Sequence, residues 1–182
     1  MDELTFHPKV VHLPIGLSVA IPLVALLVVT AWWFGKTDRR TWLVVALLQA
    51  MLFGSALVAK ETGEHEEDRV EHVTGKRPIH EHEERAERFV LGAGVVLALA
   101  VAGAALPGER ARKLVASAAT AGTFAVLGLG YAVGHSGGEL VYVRGAASAY
   151  VKMNVKAGVD GSVAPGAPVP GEREDEEEDD DR

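Results

Sequence analysis

Four long runs free of charged residues decide what this chain can fold into: 13–34, 42–59, 89–106 and 114–133. The hydrocarbon core of a bilayer, about 30 Å thick, takes roughly 20 residues of helix, and each run comes close to that length. One such run could be the buried helix of a water-soluble domain. Four of them in 182 residues leave too little polar surface to cover their apolar faces. The averages conceal this, because 48% hydrophobic and 24% charged residues would suit a soluble protein. Here the charges stand between and after the runs. The expected fold is all-α: a polytopic membrane bundle of four helices over residues 1–150, followed by a tail at 151–182. No basic leader precedes the first run and no small-residue cleavage site follows it, so it is expected to stay as the first helix.

The third and fourth runs are rich in small residues, among them Gly92, Gly94, Gly103, Gly122, Gly128 and Gly130. Gly130 with Gly134, and Ala118 with Gly122, give small-xxx-small spacings that let helix backbones approach closely in lipid. This predicts tight packing and carries no chemistry. Two connections are short and basic: 35–41, with Lys36, Arg39 and Arg40, and 107–113, with Arg110, Arg112 and Lys113. Both must share one side, and short Lys/Arg-rich loops mark the cytoplasmic face. Trp32, Trp33 and Trp42 lie at that boundary and are expected to form an interfacial belt. The N-terminus, the C-terminus and the long connection 60–88 are then expected outside a bacterial plasma membrane.

That long connection interleaves acidic and basic residues. Helices 2 and 3 are expected to continue through it as an antiparallel stalk, turning at 73–78, with Pro78 in the first turn of the returning helix, where a missing N–H costs nothing. All seven histidines then fall on one side. His12 and His135 stand at the mouths of the first and fourth spans, with Glu61 nearby, where an ionisable group is expensive unless it meets a cavity or a partner. His7, His72 and His82 form a higher layer, His82 about 10 Å above Phe89 at 1.5 Å per residue. His80 and His82 are two apart and so turn to different helix faces; His82, the nearer to the bundle, is expected to point inward. Glu61 and His65 share a face. His65, His72 and His80 are expected on the solvated stalk.

The chain has no cysteine, so any metal would rest on His, Met, Tyr or carboxylate. It has no HExxH pair or GxxxxGK[ST] loop, and its GxSxG spelling, Gly134-His135-Ser136-Gly137-Gly138, follows an apolar span in place of the strand that a nucleophile elbow needs, which counts against a hydrolase; the chain is expected not to be an enzyme by itself. Gly137 and Gly138 allow a turn expected to fold Leu140, Val141 and Tyr142 back onto the bundle mouth. From about Gly158 the composition shifts to Gly, Pro, Ala and Val and then to the acidic run 172–181, the pattern of a disordered, solubilising tail.

The opening His7-Pro8-Lys9-Val10-Val11-His12-Leu13-Pro14-Ile15-Gly16, the pair Thr62-Gly63 closing the second span, His82 before the third, and Gly137-Gly138-Glu139-Leu140-Val141-Tyr142 after the fourth resemble the domain of unknown function 2231 family of bacterial membrane proteins. The resemblance covers roughly residues 5–150. Members look like four-helix proteins, some joined to cytochrome c-like or Rieske-type domains. The resemblance implies a part in membrane electron transfer and makes His7, His12, His82 and His135 candidate haem or metal ligands. The chain departs from the pattern at Arg144, which precedes Gly145 where relatives often carry a histidine.

Three readings follow. One is a haem b carrier ligated by His12 with His82 or His135 inside the bundle, serving a redox protein on the outer face. A second is a non-haem Zn, Cu or Fe site built from His7, His12, His82 and His135 with Glu61 or Glu66. The third is a scaffold without cofactor whose histidines and carboxylates only satisfy one another. The lipid bilayer is a partner in each, a homodimer is open in each, and nucleic acid is expected in none.

Overall fold

The computed structural model describes residues 6–148; the expected tail at 151–182 lies outside the described residues. A short helix α1 (Phe6–Val10) leads into α2 (His12–Trp33), α3 (Arg39–Glu64), the short α4 (Glu67–Thr74), α5 (Lys76–Ala105) and α6 (Glu109–Tyr142). Four of these, α2, α3, α5 and α6, are long and apolar enough to cross a membrane, and each covers one of the four apolar runs to within a residue.

The ends of the helices follow from local chemistry. Asp38 caps α3: its Oδ1 accepts from the Arg40 and Thr41 N–H groups at 3.0 and 3.2 Å, satisfying donors that have no partner within the helix. Those amides, that of Thr41 first, hold the Asp38 carboxyl below its ordinary range. Gly75 and Gly108, at φ 78° and 86°, turn the chain into α5 and α6. Pro78 is the third residue of α5, within the turn whose N–H groups need no intrahelical acceptor.

Two local expectations are corrected. The stalk is not one continuous hairpin: α3 ends at Glu64, and α4 resumes after a break at His65 and Glu66. Gly63 weakens the last turn of α3, and Glu61, Glu64, Glu66 and Glu67 crowd like charges within two turns. The Glu66 N–H tightens onto the Gly63 carbonyl at 3.0 Å. Nor does the Gly137-Gly138 pair turn the chain. Helix α6 runs through it to Tyr142, whose side chain is exposed, and the positive φ comes after the helix, at Gly145. A continued ladder satisfies every N–H near the membrane within the segment itself, whereas a turn would release several.

The spanning helices form a ring in the order α2, α3, α5, α6, each packed on its two neighbours. At one end Trp33 donates to Ser117 Oγ at 3.0 Å and Trp42 to the Ala100 carbonyl at 2.9 Å. At the other end His7 meets Thr62 and His82 meets Ser136. The helices therefore alternate in direction. The core has two layers: Val28, Val29, Trp32, Trp42 and Val45 with small residues of α5 and α6, and Ile21, Leu52, Phe89, Val96 and Val126. Trp32 and Trp42 do not sit in an interfacial belt as expected. Their rings lie 6.4 Å apart, tilted by 32°, inside the first layer, because glycine and alanine on α5 and α6 leave room for indoles there. Only Trp33 lies at the surface, under the Lys113 ammonium.

Glycine lets the helices close on each other. A Cβ at Gly103 would stand 3.0 Å from Trp42 Nε1 and 3.2 Å from the backbone nitrogen of Ala116, and one at Gly122 2.7 Å from Val96. Gly130 faces Phe89 and Ser18, whereas Gly134 faces open space and Ala118 is exposed. The glycines of α6 that a neighbouring helix packs against are thus Gly122 and Gly130, eight apart, in place of either four-residue spacing.

Only 28–39% of each apolar stretch is buried inside the bundle. Leu23, Leu27, Leu47 and Leu91 point outward, an arrangement that water penalises and hydrocarbon accepts. Most polar groups within the spans find a partner, the buried Gln49 Oε1 being left without one. Ser18, Thr120 and Thr123 return their hydroxyls to carbonyls of their own helices, and Gln49 Nε2 reaches across to the Ala93 carbonyl at 3.1 Å.

Candidate functional site

Histidine chemistry gathers at the end of the bundle opposite the basic loops. His7 comes from α1, and its Nδ1 lies 3.1 Å from Thr62 Oγ1 on α3. His82 comes from α5, and its Nδ1 lies 2.8 Å from Ser136 Oγ on α6. Each hydroxyl spends its own proton on the carbonyl three residues earlier: Thr62 on Ala59 at 3.0 Å, Ser136 on Val133 at 2.9 Å. The hydroxyl oxygens are then left to accept, so the ring Nδ1–H donates in both cases. Both imidazoles are fixed in one tautomer with the Nε2 lone pair free.

Both cradles are built from the same dipeptide, a hydroxyl residue followed by glycine. A Cβ at Gly63 would stand 3.1 Å from His7 Cε1, and one at Gly137 3.3 Å from His82 Cε1. The hydroxyl orients the ring and the missing side chain makes room for it. This is what the glycine after Ser136 does in place of turning the chain.

His82 stands seven residues before the third span. Burial, with the positive charges of a protonated His7 and of Arg85 added, lowers its pKa to about 4. It is therefore a neutral imidazole at physiological pH, and His7 is close enough for the two charges to oppose each other. Next to it, Glu83 is raised by burial and then by Glu67, with which it shares a hydrogen bond as α4 docks on α5, and by Glu64.

The other candidates are placed elsewhere. His12 opens α2 on an exposed face, and His135 is exposed with its ring 6.1 Å from that of Tyr131. Glu61 is exposed; it does share a face with His65, whose Nδ1–H donates to the Glu61 backbone carbonyl at 2.7 Å. Glu66 is half-buried ahead of α4. His72 is exposed, and His80 turns outward toward Glu83 and Glu84 at 3.9 and 3.4 Å. Among the described residues no group of three or more His, Asp or Glu side chains could hold one metal ion. The structure sets His7 and His82 within reach of each other's charge, each held by its own hydroxyl, and leaves His12 and His135 exposed. The hydroxyls of Thr62 and Ser136 were not among the residues expected at the site. Their signal in the sequence is the repeated hydroxyl-glycine pair at the ends of the second and fourth spans.

Four antiparallel spans with an oriented histidine pair at one mouth define a multi-pass, all-helical membrane protein. The chain belongs to the family described as "Predicted membrane protein (DUF2231)", whose model matches residues 3–149. No curated protein and no solved structure matches it.

Proposed function

We propose that His7 and His82 together ligate one metal centre through their Nε2 atoms, and that this centre is haem b in a membrane electron-transfer protein. The observation that carries the reading is the pair of Nδ1–H donations to Thr62 and Ser136. Metal-ligating histidines characteristically donate their second nitrogen in this way, which fixes the ring and raises its basicity. Burial keeps His82 neutral, the form in which imidazole binds metal. Two histidines suffice as axial ligands of haem, whereas a Zn, Cu or non-haem Fe site draws three or four protein ligands. The donor set among the described residues thus favours haem over the non-haem alternative. Bound there, haem would supply one-electron transfer at the membrane surface. Helix bundles commonly house such groups.

The basic loops carrying Lys36, Arg39, Arg110 and Arg112 favour a cytoplasmic position for the Trp end. The histidine pair would then face outward from a bacterial plasma membrane and meet a redox protein on that side. A second reading has an observation of its own: the same hydrogen bonds tie α1 to α3 and α5 to α6, as a cofactor-free scaffold would require. Absorption spectra of protein purified after haem-supplemented expression separate the two. The expected outcome is a Soret band lost in His7→Ala and in His82→Ala and kept in His12→Gln and His135→Gln. A colourless wild type whose histidine variants differ only in thermal stability would establish the scaffold instead.

A further inference from the structure

On the lipid-facing side, α3 and α5 leave an open groove of about 610 Å³, lined by Phe53, Leu57, Leu91, Gly94, Val95 and Ala98. Its floor exists because Gly94 has no side chain: a Cβ there would stand 3.0 Å from the Phe53 ring. The charged mouth is made by Lys60, one residue beyond the second span, and Glu87, two residues before the third. From Glu87 to Ala98 the groove descends about 16 Å at 1.5 Å per residue, half the roughly 30 Å hydrocarbon core and so the depth of one leaflet. The groove is open along its length and lined there by apolar side chains, the surface against which an extended hydrocarbon chain can lie.

The mouth is selective by charge. Lys60 is bonded to Glu64 and lies 3.8 Å from Glu87, whose side chain is 66% exposed. One ammonium therefore faces two carboxylates, and Glu87 is the one left incompletely paired. An anionic headgroup would meet net negative charge. A headgroup carrying both phosphate and a primary ammonium finds a complement to each, the phosphate at Lys60 and the ammonium at Glu87. We infer that the α3–α5 groove is a binding site for a phospholipid with a phosphoethanolamine headgroup, its acyl chain lying between Phe53 and Ala98. This site is independent of the histidine pair.

The test uses full-length protein in detergent, titrated with dilauroyl phosphatidylethanolamine or dilauroyl phosphatidylglycerol and read by native mass spectrometry and thermal unfolding. The ethanolamine lipid should be retained at one per chain and raise Tm, with a preference over the glycerol lipid of about fivefold, the ratio that one exposed charge pair near 1 kcal/mol provides. Glu87→Gln, at the exposed rim, should abolish the preference while the protein stays folded. Ala98→Phe, which fills the deep end, should abolish retention of both lipids. Equal retention of the two lipids by wild type, retention unchanged in Ala98→Phe, or conversion of a dimer to monomer by Ala98→Phe would each overturn the assignment, the last giving the groove to a second copy.

Discussion

Two side chains with single hydroxyls govern the histidine pair. Replacing Ser136 by Ala would leave the His82 Nδ1–H without its acceptor in a half-buried position, at a cost of about 1–3 kcal/mol. Ser136→Ala should accordingly lower the Tm measured in detergent, and Ser136→Thr should restore most of the loss; equal effects of the two substitutions would mean that the hydroxyl is not what holds the ring. At this scale the sequence was partly legible. The two-residue offset between His80 and His82 turns one outward to Glu83 and Glu84 and the other inward to Ser136, as helix periodicity requires. The choice between His7 and His12 was not legible. Five residues around a helix is about 140°, so only one can face the bundle, and which one depends on where the break at Val11 sets α1 against α3.

At the scale of the element, small residues matter by where they point. Gly103 meets Trp42 and the Ala116 backbone, whereas Gly134 meets open space. Gly103→Ala should destabilise the bundle by about 1–3 kcal/mol, the usual range for overpacking, since backbone cannot rotate away as a side chain can. Gly134→Ala should be neutral or stabilise by up to about 1 kcal/mol through helix propensity. Denaturation of both variants in one detergent decides it; a harmless Gly103→Ala would show that α5 and α6 are not in close contact at the Trp42 end. The same distinction explains the stalk and the glycine pair. Composition shows where a helix is weak, and a break appears at His65 and Glu66, where like charges add to Gly63. Gly137 and Gly138 stay helical, and Ser136 and Gly137 make the seat for His82.

For the whole molecule, topology follows from the number of spans. The chain lacks cysteine, so single-cysteine variants report cleanly. Lys36→Cys and Arg110→Cys should label from one side of sealed vesicles, His72→Cys and Arg144→Cys from the other. Labelling of positions 36 and 72 from the same side would remove one of the crossings. Confinement of the charges to the ends of the bundle also explains why α4 and the first turns of α5 can carry ion pairs such as Lys76 with Glu71 and Arg77 with Glu81 while the spans carry none.

The sequence alone determined that there are four spans and that every histidine shares one side, because run length and span parity depend on local hydrophobicity and counting, which no packing can alter. Only the tertiary structure decided which hydroxyls the histidines meet. Thr62 and Ser136 are 55 and 54 residues from their histidines in the chain, and no periodicity links them. The ring order of the helices brings each hydroxyl-glycine pair to its imidazole, and that order is a property of how whole helix faces pack, which local sequence does not contain.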